Sequence, residues 1–520
     1  MVRSESLPPT RATCAEFENG FFYNQRFKSE HSAQLAHLEA MKPLVAILLP
    51  LICATAASTP AIDSLVESAR AAPAEFAADA LIRLAALDQV DKARKIEWLQ
   101  QAFDRAAEAQ EPYKRRAAIT RFGGPAGFLN RAYSQDLDAM SLRLRAVAAL
   151  LPVDSRKAAS LFLRIPPARL PAVSCTEFLV PEVSRFYEVL GNLLASQALT
   201  SNDLERFAGA ITSPGQIAPT ARMIASANLS EADFRRVVAA YAGALSGIAA
   251  DDRTFTYYAA AGRQIELLAE ECRRHKTSTL PLVEAYRAYL VRHLSGARCG
   301  DDELQKPTGL SLGMATPEEA DAKAADALEF FNQRLVVPPV QAIGELDATP
   351  SKLEGTAIGL RSCEDAACKA IAEQFHALVF NSVGVPFQQS EKDTPEWRSR
   401  LQTFLKAVAD WKPGPGVTPA AHFREKCGLY SDLSAVPNPP DREAVLRALF
   451  EFTSRNAFQV KNRVEWFLPV NGLIGRAGLD PVGLGRIIDL LRKSDDPVIA
   501  LFANLEVVAP RAPDRVLPLL

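Results

Sequence analysis

Three short patterns in this 520-residue chain hold residue types that could do chemistry. Gly309-Leu310-Ser311-Leu312-Gly313 fits the G-x-S-x-G spacing that holds a serine nucleophile at a sharp strand-to-helix turn, with a histidine and an acid following. Lys306-Pro307-Thr308 makes no strand ahead of it, so Ser311 reads as linker. Cys272-x-x-His275, with His293 and Cys299, has the residue types of a zinc site, whose ligand atoms must all lie about 2.0–2.3 Å from one ion. Spacing predicts a hairpin of helices over residues 253–272 and 280–294. At about 1.5 Å per residue, that hairpin puts Cys272 and Cys299 on the order of 25 Å apart, which excludes both zinc and a disulfide between them. Arg273-Arg274-His275-Lys276 could hold an anion. It also closes a helix that starts near Asp251 and Asp252, and bases at a C-terminus complement the helix dipole.

Nothing else supplies a catalytic constellation. The chain has no H-E-x-x-H, P-loop, EF-hand loop or Rossmann glycine fingerprint in strand context. The histidines after residue 57 (His275, His293, His376, His422) do not stand at helical ligand spacing from one another. No catalytic, metal or cofactor-binding residue is therefore assigned, and no cofactor is expected. Carboxylates are plentiful, and a glycosidase pair needs its two members only about 5–10 Å apart in space, so such a pair is compatible with the sequence. With four Trp and ten Tyr, however, the chain is short of the aromatic platforms that line sugar clefts. Trp397, Trp411 and Trp466 fall in amphipathic segments where core packing explains them. The adjacent pairs Tyr257-Tyr258, Phe330-Phe331 and Trp466-Phe467 point in different directions on a helix, so one member of each is expected at the surface.

The elements that would position any site are helices. Hydrophobic positions recur at helical spacing almost everywhere, without a convincing run of strand alternation. Thr316-Pro317-Glu318-Glu319 starts one helix, with Ala320, Ala324, Ala327, Leu328, Phe331 and Leu335 on a stripe. Thr394-Pro395-Glu396 starts another, with Trp397, Leu401, Phe404, Leu405 and Val408 on its apolar face. Ser213-Pro214, Thr418-Pro419, Asp480-Pro481 and Asp496-Pro497 are further starts, so the 35 prolines punctuate helices. With 48% hydrophobic and 23% charged residues, the composition is that of a globular chain. A net charge of −2 gives no reason to expect a nucleic-acid partner.

The segment 41–57 reads as a secretory signal peptide. Met41-Lys42-Pro43 is its basic start, Leu44 to Ile52 its apolar run, and Ala54, Ala56 and Ala57 its small-residue cleavage region. Nine apolar residues are too few to span a bilayer of about 30 Å, and no later run approaches a span. Ile52, ahead of Cys53, stands where lipid attachment needs a small residue. Translation is thus expected to start at Met41, with residues 1–40 a mis-annotated or disordered extension and export to the periplasm or outside a bacterial cell. Six cysteines remain after the cleavage region: Cys175, Cys272, Cys299, Cys363, Cys368 and Cys427. In an oxidising compartment they can pair. Cys363 can reach Cys368 if it precedes the helix start, and a Cys299–Cys427 staple between the halves is expected, with buried free thiols as the alternative.

Residues 300–316 combine Gly, Pro and charge without periodicity. They read as a linker between an N-terminal helical domain, 58–299, and a C-terminal one, 317–520. Ala158-Ala159-Ser160-Leu161-Phe162, followed by Pro166, resembles the second half of a tetratricopeptide repeat. The W-x-x-L-G-x-x-Y half is missing and no 34-residue period runs along the chain, so the resemblance covers one helix and implies a degenerate repeat scaffold that binds partners. The expected fold is all-α, of stacked helical hairpins like an α-solenoid, with an α/α toroid as the alternative. The expected function is an exported binding or scaffold protein whose partner is a protein or peptide; the alternative is a secreted polysaccharide hydrolase or lyase.

Overall fold

The computed structural model describes residues 59–117, 124–174, 179–249, 261–294, 366–382, 384–456, 463–474 and 481–508, with residues 254, 255, 258 and 479. Segments 1–40, 41–57 and 300–316 lie outside them, as do the 309–313 pattern and the helix expected after Thr316. All described residues belong to one compact unit, Ala57–Leu520 by internal contacts.

Up to residue 294 the helices are α1 (Thr59–Ala71), α2 (Ala74–Ala85), α3 (Lys92–Ala106), α4 (Gly124–Tyr133), α5 (Ala139–Leu150), α6 (Ser155–Leu163), α7 (Ser184–Ala195), α8 (Ser201–Ala208), α9 (Ile217–Ser226), α10 (Glu231–Gly247), α11 (Gly262–Arg274) and α12 (Leu280–Leu294). From residue 366 follow α13 (Ala366–Val379), α14 (Gln389–Lys392), α15 (Pro395–Asp410), α16 (Pro419–Leu433), α17 (Pro439–Asn456), α18 (Arg463–Ile474), α19 (Pro481–Arg492) and α20 (Pro497–Val508). Many start on a side-chain cap that satisfies an otherwise orphaned backbone N–H. Asp91, Asp138, Asp154, Ser230, Thr394 and Thr418 each accept from the amide three residues on. In α15 the expected stripe of Trp397, Leu401, Phe404, Leu405 and Val408 is buried throughout. Thr418-Pro419 and Asp496-Pro497 open α16 and α20, and α19 starts at Pro481.

Several boundaries differ from the sequence expectation. Ser213-Pro214 opens a 3-10 turn, Pro214–Gln216, that runs into α9. The helix expected over 253–272 begins at Gly262 instead. One antiparallel ladder interrupts the helices: β1 (Arg115–Ala117) pairs with β2 (Leu179–Pro181) in the register Arg115↔Pro181, Arg116↔Val180 and Ala117↔Leu179. Strands of three residues are too short for alternation to be legible.

Helices in sequence become neighbours in space. α3 packs on α5, α5 on α7, α7 on α9 and α9 on α11, while α8 packs on α10 and α10 on α12. In the second half α13 meets α15, α15 meets α17, and α17 meets α16, α18 and α19. The two ends of the described chain also meet, because α20 packs on α1 and α2, and α4 packs on α16 and α18. One hydrophobic cluster therefore includes residues from Ile62 to Leu505. At its junction Phe76 of α2 lies 4.8 Å from Phe467 and 6.0 Å from both Trp466 and Phe502. Trp466 and Phe467 are both buried, against the expectation of one exposed member, because Phe76 of α2 lies against both rings and α4 packs on α18 along with its own neighbours. Polar ties reinforce the junction. Gln135 donates to the carbonyl of Val464 at 2.7 Å, and Arg83 pairs with Glu506 of α20 at 2.9 Å.

No helix among the described residues is long and apolar enough to cross a membrane.

Candidate functional site

Among the described residues, α1 and α3 enclose an open groove of about 370 Å³ between them. The Asp91 cap fixes the first turn of α3, which places Arg94 and Trp98 one turn apart on the same face. Arg94 lays its guanidinium over the Trp98 ring, 4.7 Å from the centroid, and is hydrogen-bonded to Asp63 of α1. Arg70 of α1 pairs with Glu67 at 2.7 Å and with Glu97 of α3 at 3.2 Å, and its Nε donates to Gln101 at 3.0 Å. The groove thus has an aromatic floor shielded by a cation and walls of exposed charge pairs. Exposed pairs are worth little to stability, about 0–1 kcal/mol each, so they can exchange partners cheaply. That suits recognition of polar, charged groups.

A second polar centre lies where the β1–β2 ladder meets the α4–α5 turn. The ladder brings Glu182 to Lys114, with Glu182 N donating to the Lys114 carbonyl at 2.7 Å. The Lys114 amine pairs with Asp136 at 2.5 Å and stands 3.9 Å from Glu182. Asp136 itself adopts a left-handed backbone, φ 58°, which lets the chain turn directly into the Asp138 cap. Asp138 is 4% exposed, one carboxylate oxygen accepting from Ser141 N at 2.9 Å and the other buried without a hydrogen bond. Burial pushes its carboxyl up to about 6, Asp136 adding to the rise while Ser141 and Lys114 oppose it. This group holds and releases a proton near neutrality, yet it is covered.

A third centre is Lys426 on α16, 3% exposed, whose amine donates to the Ala409 carbonyl at 3.1 Å and lies 5.0 Å from the Phe452 ring centroid. Desolvation brings its pKa down to about 8, with Asp410 acting against the shift.

The residues singled out in the sequence are not brought together. Ala54, Ala56, Ala57, Cys299 and Cys363 lie outside the described residues. Cys427 is a free, buried thiol, so the Cys299–Cys427 staple is not formed. Its position in the core of α16, held beside Thr453, keeps it as a small hydrophobe, and burial raises its pKa. Cys368 is disulfide-bonded; its partner lies outside the described residues, because Cys272 and Cys427 are both free. Cys272 is buried and pushed up to about 11, mainly by desolvation. His275 stacks on Phe234 at 4.2 Å, while the ring nitrogens of His293 face the carbonyls of Tyr289 and Ala249 at 2.9 and 3.1 Å. Among the described residues no three His, Cys, Asp or Glu side chains converge as a metal site requires. Arg273 and Arg274 end α11, with Arg274 paired to Glu271 at 2.5 Å. The Ala158–Phe162 segment lies in α6, its Ala158, Ala159, Leu161 and Phe162 buried.

Sequence reasoning missed the groove and both buried titratable centres. Asp91 and Asp138, which cap α3 and α5, are of a residue type that could have marked those helix starts, but the partners Asp63 and Lys114 come from other elements.

No protein-family model, curated protein or solved structure matches the chain.

Proposed function

We propose that this chain is an exported helical binding protein, and that the α1–α3 groove takes a peptide segment of its partner. The observation that carries the reading is the groove itself, a concave surface with Trp98 beneath Arg94 and exchangeable charge pairs on either side. Consecutive packing of α3, α5, α7, α9 and α11 supports a solenoid-like stack behind it, the architecture that presents extended surfaces to partners. Export is supported by the signal-like 41–57 segment and by the disulfide at Cys368, a bond that persists in oxidising compartments.

Two measurements test this. Expression of the full gene in its native host, followed by intact mass with and without reduction and alkylation, should give a chain beginning near Ser58. A chain beginning at Met1 with every thiol free would overturn export. For binding, the mature chain is probed with an immobilised peptide library carrying charged residues of both signs. Saturable binding that weakens at least tenfold in Arg94→Glu is expected, and binding unaffected by that change would remove the groove from the function.

One observation favours a second reading, a glycan hydrolase. Asp138 holds its proton up to about pH 6 beside Asp136, higher than an ordinary carboxyl as a general acid requires, and the first and last described helices pack together as a toroid would require. At 4% exposure, Asp138 offers a glycan no approach, which is why binding is preferred. Turnover of cell-wall or plant glycans that is lost in Asp138→Asn would reverse the preference.

A further inference from the structure

We infer that Arg143 and Arg164 form a site for an oxyanion, a carboxylate or phosphate group, held beside the ring of Phe103. Arg143 projects from α5 and Arg164 caps the end of α6, and both guanidinium groups lie against this one ring of α3, at 4.3 and 5.0 Å from its centroid. Phe103 is fully buried, so the ring is a fixed backing for both planes.

The charge around that ring is out of balance. Arg164 is paired with Asp104 at 2.7 Å, both side chains being about half exposed. Arg143 has no carboxylate of its own: it makes one long hydrogen bond, 3.4 Å, to the Arg164 carbonyl, and its Nε is buried with no partner. Two cations therefore share one acid. The other arginines of α3 and α5 are matched, Arg145 with Asp79, Arg94 with Asp63 and Arg105 with Glu108. Burial and then the neighbouring Arg164 charge lower the pKa of Arg143, with Asp104 only partly opposing them. An anion bridging the two guanidinium groups removes that repulsion and fills empty donors. The planar fork of arginine suits the two oxygens of a carboxylate or phosphate, and stacking on Phe103 fixes its orientation beforehand. Residue 103 lies five positions beyond Trp98 on α3, about 140° around the helix, so this site is separate from the groove and independent of its function.

The test uses the mature chain, with inorganic phosphate or succinate titrated against sodium chloride at matched ionic strength and binding read by calorimetry. Wild-type protein should bind at least one of the two anions saturably, and the tighter one identifies the source as phosphate or carboxylate. Arg143→Met and Arg164→Met, verified as folded by circular dichroism, should each weaken binding at least tenfold. Asp104→Asn removes the competing carboxylate and should tighten it severalfold, which a merely structural pair would not do. No saturable binding of either anion, or equal binding by wild type and Arg143→Met, would overturn the site. If Arg143→Met fails to fold, Arg164→Met and Asp104→Asn decide in its place.

Discussion

Asp138→Asn should stabilise the protein above neutrality and leave it nearly unchanged in acid. The carboxyl rises from 3.8 to about 6 because it is buried at the start of α5 with only one oxygen hydrogen-bonded. The folded chain thus holds this proton more tightly than the unfolded chain. Between about pH 4 and pH 6 the folded state binds more protons, so stability falls as pH rises through that window and levels off above it. At about 1.4 kcal/mol per pH unit, the ionised carboxylate costs the fold on the order of 3 kcal/mol. Asparagine caps a helix about as well as aspartate and does not ionise, so it keeps the bond to Ser141 and removes the penalty. The assay is urea unfolding of wild type and variant at pH 4 and pH 8. The gain from the substitution should be larger at pH 8 by about 1–3 kcal/mol. An equal effect at both pH values, or a loss at pH 8, would refute the account of Asp138 as a carboxylate ionised at a cost.

Other sites give sharper directions than magnitudes. Lys426→Met should raise the unfolding midpoint at pH 7, because the folded pKa near 8 is below the unfolded value and holding the ammonium costs stability there; the gain should vanish by about pH 11. Asp79→Ala leaves Arg83 and Arg145 with a buried carboxylate removed between them, and chemical denaturation should show a loss of about 3–5 kcal/mol. Phe76→Ala opens a cavity among Trp466, Phe467 and Phe502, costing about 3–5 kcal/mol in the same assay. Cys272 and Cys427 should react with thiol reagents only on unfolding, since both are buried and their thiolates disfavoured.

Local chemistry was legible from sequence wherever one segment carried it all. The Thr394-Pro395 start and the Trp397 to Val408 stripe were readable because cap, proline and apolar period lie within sixteen residues of helix and act through the backbone they belong to. The same holds for Thr418 and Asp496 as helix starts, and for the helical class of the fold. What the sequence could not carry was anything that depends on two distant segments meeting. The three-residue strands exist because Arg115–Ala117 and Leu179–Pro181 complete each other's hydrogen bonds, and neither has enough length to announce it alone.

Spacing suggested that one of Trp466 and Phe467 would reach the surface, since neighbours on a helix point apart. Phe76 of α2 and the packing of α4 on α18 bury both instead. Tertiary structure likewise left Cys427 without a disulfide, raised Asp138 by enclosing it, joined Arg94 to Asp63 across the groove, and set two arginines against one phenylalanine with a single acid between them. Periodicity and caps fix how each segment winds, because those forces act within a few residues. Desolvation, charge balance and concavity are set by whichever groups arrive from elsewhere in the chain, and only the folded arrangement decides which those are.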